Sequence, residues 1–172
     1  MLYNGHKEFY GGTTAEPCTA SPSNMEDSKY DVLKLENQIC FPLYACAKEV
    51  VRKYKPYLDE IGLTYTQYIA MMVMWEHKRI SVKELGSFLY LDSGTLTPLL
   101  KKLEQKGYVS RARDSADERV LNVTITEAGE ALKDRAVTIP ARLAACVELS
   151  IEDAVELGTL LKKLLKTISY DE

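Results

Sequence analysis

The sequence predicts a mainly α chain with a small β component, an α+β fold, and three stretches carry that expectation. Between Ile80 and Val123, two short helical patterns joined by a tight turn run into two alternating strand patterns. From about Lys29 to Lys55, Val32, Leu35, Ile39, Leu43, Cys46, Ala47 and Val50 recur every three or four residues. From Ile151 to Ile168, Ala154, Val155, Leu157, Leu160, Leu161, Leu164 and Leu165 give a broad apolar stripe at the same spacing.

Composition narrows the class. A chain of 172 residues suits one domain with added association helices, and 46% hydrophobic content is ordinary for a globular protein. No apolar run approaches the roughly 18–20 residues of a membrane span, so no membrane partner is expected. The opening MLYNGHKEFYGG has no basic region followed by an apolar core, so no secretory signal is expected and the cytoplasm is the expected compartment. The four cysteines, Cys18, Cys40, Cys46 and Cys146, show no CxxC spacing, and with two histidines in all neither a zinc site nor any other cofactor is expected. Such thiols are reduced at rest in that compartment, and any reactivity would be regulatory or catalytic.

Taken in order, residues 1–28 are rich in Gly, Ser, Thr, Pro and Asn and read as a flexible arm that contains Cys18. Residues 29–172 read as the folded domain, with association helices over about 29–60 and 126–170 and a central unit over about 64–125. Pro42 falls inside the first helical pattern and predicts a kink or break. Pro56 fits the first turn of a new short helix, PYLDEI. Thr64 is placed to cap YTQYIAMMVMWEH, which is apolar around most of its circumference and so belongs at the centre. Met71, Met72, Met74 and Trp75 read as core, as does Cys46.

Ser81 with Glu84 three residues on is a capping box opening a short helix on which Val82, Leu85, Phe88 and Leu89 share a face. Asp92 or Ser93 caps the next helix, whose apolar face is Leu96, Leu99, Leu100 and Leu103. Gly107 suits the left-handed residue at its end. YVSRAR and RVLNVTI then alternate as strands around the loop DSADE. Thr126 caps a helix running to about Val147, interrupted at Pro140, and Ser150 with Asp153 marks one more start. A terminal helix as apolar as 151–168 needs a partner surface.

Two helices and a β-hairpin in this order form a winged helix-turn-helix layout, whose second helix enters the major groove of DNA. Lys78 to Arg119 holds nine Lys/Arg against six Asp/Glu, net +3, in a chain whose total is −3. The positive charge gathers where phosphates would lie, while a pI of about 5.6 speaks against indiscriminate coating of nucleic acid. Ser93, Gly94, Thr95, Thr97, Pro98, Lys101 and Lys102 on the second helix, and Arg111, Arg113, Asp117 and Arg119 on the wing, are the candidate DNA-contacting residues.

LYLDSGTLTPLLKKLEQKGYVSR and DERVLNVTITEAG resemble the MarR family of bacterial transcription regulators. LENQICFPLYACAKEV and YKPYLDEIGLTYTQYIAMMVMWEH resemble its OhrR branch, repressors that sense organic hydroperoxides through one cysteine, and the resemblance extends from about Leu33 to Ile168. It implies a homodimer interlocked through terminal helices, double-stranded operator DNA as partner, and an organic hydroperoxide as effector. It places Cys40 at the sensing position of LENQICF and Tyr54 and Tyr65 at positions whose hydroxyls hydrogen-bond that cysteine across the dimer; Tyr44 lies one helical turn from Cys40. The family pattern has a non-proline residue where Pro42 stands. Some members carry a second cysteine after the wing that forms an intersubunit disulfide, and others use a small free thiol; Cys146 stands in roughly that place. Asp117 and Arg119 match the family's DxR pattern.

Three rivals have different signatures. A regulator of the same fold that binds an aromatic ligand non-covalently would make Cys40 oxidation irrelevant to DNA release. A thiol peroxidase needs no winged helix, and the chain shows no thioredoxin-like pattern, so no enzyme activity is expected. A DNA-free interaction module would have no use for the placement of Lys and Arg.

Overall fold

The computed structural model describes residues 29–168; the arm with Cys18 lies outside the described residues. The chain forms two units, one ending at Cys46 and one beginning at Ala47.

In the first unit, two single 3₁₀ turns, Asp31–Leu33 and Leu35–Asn37, precede the start of helix α1 (Cys40–Glu60). From Val32 to Ile39 the helical periodicity is realised as these turns, which their exposed Val32, Leu33, Leu35 and Ile39 leave without packing to lengthen them. The break expected around Pro42 falls just before it, at Gln38–Ile39, and no kink follows inside the helix. Pro42 is the third residue of α1, where backbone amides have no intrahelical acceptor, so its missing N–H costs no helical bond. Cys46 is exposed, contrary to the core position its spacing suggested.

The second unit opens with the rest of α1. No new helix begins at Pro56, which sits inside the continuous helix. Leu58, 1% exposed, anchors the segment two residues on, and that packing outweighs the local cost of the proline. Helix α2 (Tyr65–His77) starts with the reciprocal capping box of Thr64 and Gln67. Its Tyr68, Ala70, Met71, Met74 and Trp75 are buried at the centre of the core, while Met72 is half exposed and is not a core residue.

Strand β1 (Arg79–Ser81) leads into α3 (Val82–Leu89), opened by the expected Ser81–Glu84 box, and α4 (Ser93–Gln105), capped by Asp92 through Thr95 N. Leu85 is buried on α3, whereas Phe88 faces out against His77. Leu96, Leu99, Leu100 and Leu103 of α4 are all buried, as their spacing predicts. Gly107, at φ +75°, turns the chain into β2 (Val109–Arg113), which pairs antiparallel with β3 (Leu121–Ile125). The expected two-stranded ribbon is in fact a three-stranded sheet in the order β1-β3-β2, with Ile80 and Arg111 both opposite Val123. Beyond it, Thr126 caps α5 (Glu127–Ala136), and Pro140 lies in the first turn of a separate α6 (Ile139–Ala144). The interruption expected at Pro140 is present as a full break at Val137–Thr138 between two helices, and the second ends at Ala144, short of Val147. The last helix, α7 (Ile151–Ile168), is opened by the Oγ of Ser150, which accepts from Asp153 N, and none of its residues is buried.

Trp75 ties α2 to the start of α5: its indole Nε1 donates to the Gly129 carbonyl at 2.8 Å. A Cβ at Gly129 would stand 2.1 Å from the Tyr108 carbonyl oxygen, so only glycine admits this approach of α5 to the sheet. Among the described residues no helix is long and apolar enough to cross a membrane.

Candidate DNA interface and thiol sites

The outer side of α4 follows from burial of its leucines. Ser93, Gly94, Thr95, Thr97, Pro98, Lys101 and Lys102 are all exposed on one helix. The hydroxyls near its N-terminus are held locally: Thr95 Oγ1 donates to Asp92 Oδ2 at 3.0 Å, and Thr97 Oγ1 donates to the Ser93 carbonyl at 2.7 Å. The Thr95 backbone amide, aided by its hydroxyl, holds the Asp92 carboxyl below the usual range and keeps the cap charged.

The wing separates the four remaining candidates. Arg119 projects into solvent with its side chain 90% exposed, and Asp117 grips it through Nε at 3.0 Å and Nη2 at 3.1 Å. That fork, more than any other contact, holds the Asp117 carboxyl low. Arg113 donates to the Glu118 carbonyl. Arg111 is engaged elsewhere: Glu104 takes its Nε at 3.0 Å, its Nη2 at 2.6 Å and its backbone amide at 3.0 Å, pinning α4 to β2. Its guanidinium therefore fixes the angle between helix and wing. Sequence reasoning missed Asp114, which organises the loop base by accepting from Ala116 N, Asn122 Nδ2 and Arg79 Nη2 at 2.9, 2.8 and 3.3 Å. An Asp opening a loop that returns to its own backbone was the available signal.

Of the candidate redox residues, Cys40 and Tyr44 lie in the first unit, both exposed, with Cys40 the first residue of α1. Tyr54 and Tyr65 lie in the second unit, with ring centroids 5.1 Å apart, and Tyr68 stacks 5.9 Å from Tyr54. Burial, reinforced by Tyr65, pushes the Tyr54 phenol up, so it stays a proton donor at neutral pH.

Cys146, just past α6, has neighbours that the sequence did not announce. Its Sγ lies 3.1 Å from Tyr57 Oη. The Arg142 guanidinium sits 4.3 Å over the Tyr57 ring and forms a two-point pair with Glu60, both contacts at 2.7 Å. Arg135 donates to the Glu60 main-chain carbonyl. The hydrogen bond with Cys146, followed by burial, raises the Tyr57 phenol above its ordinary value. Among the described residues no group of His, Cys, Asp and Glu is placed to hold a metal ion.

A winged helix-turn-helix with a polar outer face on its second helix and a braced arginine at its wing tip defines a DNA-binding transcription regulator. The family model for transcriptional regulator SarA/Rot matches residues 52–136. The organic hydroperoxide resistance transcriptional regulator of Bacillus subtilis (strain 168) is 46% identical over 83% of this chain and 97% of its own length. The structure of reduced AbfR bound to DNA, a Staphylococcus epidermidis protein, superposes with a TM-score of 0.71 at 31% identity, over 81% of this chain and 96% of that one. A mutant MarR from E. coli complexed with operator DNA gives a TM-score of 0.63 at 26% identity, over 72% of this chain and 90% of that one. The chain belongs to the MarR family of transcription regulators, in its OhrR-like branch.

Proposed function

We propose that this regulator is a repressor that binds operator DNA as a homodimer in the cytoplasm and lets go when an organic hydroperoxide oxidises Cys40. The observation that carries the reading is the pair of phenols, Tyr54 and Tyr65, packed 5.1 Å apart at the positions that the OhrR-like pattern assigns to the partners of an exposed Cys40. Hydroxyl donors of this kind favour a thiolate, and the thiolate is the form that attacks a peroxide. The sulfur displaces an alkoxide from the O–O bond and becomes a sulfenic acid, and the peroxide leaves as an alcohol.

Cys146 is the proposed resolving thiol. AbfR has solved structures described as reduced and bound to DNA, overoxidized and bound to DNA, and disulfide-formed. Carried over to this chain, that series favours a disulfide as the releasing event over further oxidation of one sulfur. Release would follow if the dimer helices shift and the two recognition helices lose their one-turn spacing.

In the bound state Ser93, Gly94, Thr95, Thr97 and Pro98 face the major groove, Lys101 and Lys102 meet flanking phosphates, and Arg119 enters the adjacent minor groove with Asp117 aiming it. Arg113 braces the wing loop. The apolar positions of α7, such as Ile151 at 80% and Val155 at 64% exposure, suit burial against a second copy. An electrophoretic shift with operator DNA, with and without cumene hydroperoxide, tests the function. The complex should form with reduced protein, disappear with peroxide, and return with dithiothreitol. A complex indifferent to peroxide but dissolved by an aromatic ligand would replace this reading with the non-covalent one.

A further inference from the structure

We infer that Tyr57 is a positioning residue for Cys146, holding its sulfur for attack on the Cys40 sulfenic acid, and that Arg142 and Glu60 hold Tyr57 in turn. The inference rests on the proposed redox function and adds three residues to it. Cys146 stands beyond the end of α6 and is exposed, yet its Sγ meets a phenolic oxygen at 3.1 Å. That phenol is half-buried, and its ring is covered by a guanidinium at 4.3 Å. The guanidinium cannot swing freely, because both its terminal nitrogens are taken by Glu60. Glu60 is the last residue of α1, and Arg135 of α5 closes on its carbonyl. Each link is fixed by the next, from α5 and the end of α1 to the sulfur.

The chemistry gives the arrangement a purpose. In the resolving step the Cys146 sulfur attacks the Cys40 sulfur: an S–S bond forms, the S–O bond breaks, and hydroxide leaves with the Cys146 thiol proton as water. The Cys146 sulfur supplies the electron pair of the new S–S bond and is oxidised, the Cys40 sulfur is reduced from the sulfenic to the disulfide level, and the oxygen leaves with the S–O pair. The attacking sulfur must be ionised, and a phenol that keeps its proton at neutral pH can donate to it. Once the sulfur is charged, only the hydroxyl can be the donor of this pair. Tyr57 itself neither gains nor loses a proton overall.

The test compares full-length reduced wild type with Tyr57→Phe, which keeps the ring under Arg142 and removes only the hydroxyl. Each is mixed with one equivalent of cumene hydroperoxide and quenched over time. Peroxide consumption and melting temperature should match the wild type. Disulfide formation between Cys40 and Cys146 should slow roughly three- to tenfold, and capture of Cys40 sulfenic acid by dimedone should rise. Equal disulfide rates overturn the role of Tyr57 while leaving Cys146 as the resolving thiol. No Cys40–Cys146 disulfide in the wild type overturns both. If Tyr57→Phe does not fold, the phenol titration of Tyr57, followed by NMR with labelled tyrosine, decides: Cys146→Ala should bring it down toward the ordinary value, and an unmoved titration refutes the contact.

Discussion

Replacing Arg119 by Ala separates DNA contact from folding more cleanly than any other change in the wing. The side chain is 90% exposed and its bonds go only to Asp117, two residues away, so no other element depends on it. The melting temperature should therefore stay at the wild-type value. The Asp117 fork fixes the guanidinium in one orientation before DNA arrives, so little side-chain freedom is left to lose on binding. Loss of a pre-oriented arginine should weaken operator binding roughly 5- to 100-fold. In the proposed dimer two wings meet the operator, so the slope of log affinity against log salt should fall by about 1–2. Asp117→Asn keeps the arginine's charge and loses the fork; its affinity should fall less and its salt slope hardly at all. Fluorescence anisotropy with labelled operator at several salt concentrations reads both quantities. Unchanged affinity and unchanged slope in Arg119→Ala would show that the wing tip does not reach the DNA.

Gly129→Ala drives a methyl group to 2.1 Å from the Tyr108 carbonyl, so α5 must back away and strain the Trp75 hydrogen bond; a loss of at least about 2 kcal/mol in chemical denaturation is expected. Asp92, Glu104, Asp114 and Asp117 all have carboxyls held below the usual range by hydrogen bonds in the folded state. The unfolded chain therefore binds more protons than the folded one in acid, and the melting temperature should hold above about pH 5 and fall progressively between about pH 5 and pH 3. Sedimentation at micromolar concentration should show a dimer that Leu160→Glu in α7 weakens; a stable wild-type monomer contradicts the assigned role of α7.

The parts of the fold that were legible in the sequence are those whose signals are local. The capping residues Thr64, Ser81, Asp92, Thr126 and Ser150 each need only the amide three residues on, and each caps as its spacing indicated. The four leucines of α4 are a period-3.6 pattern and are all buried. Strand β1 was not legible because three residues are too few to show alternation; it exists through its pairing with β3, more than 40 positions away. Pro56 was misread because local propensity marks a start, while burial of Leu58 keeps the helix whole. Cys46 and Met72 match the helical period yet face outward, since period alone does not say how wide the buried face is. The DxR pair at the wing was visible as a motif. The capture of Arg111 by Glu104 and the Glu60–Arg142–Tyr57–Cys146 chain were not, the second because its partners lie more than 80 residues apart.

The central claim is that oxidation of Cys40 itself releases the operator. The most direct measurement is operator release by the Cys40→Ser protein, followed by anisotropy, under a stepwise addition of cumene hydroperoxide beside the wild type. The hydroxyl of serine preserves size and polarity at an exposed position, so the variant should fold and bind operator like the parent. It should then stay bound through peroxide concentrations that release the wild type completely. Release of Cys40→Ser protein at the same peroxide concentration as the wild type contradicts the account.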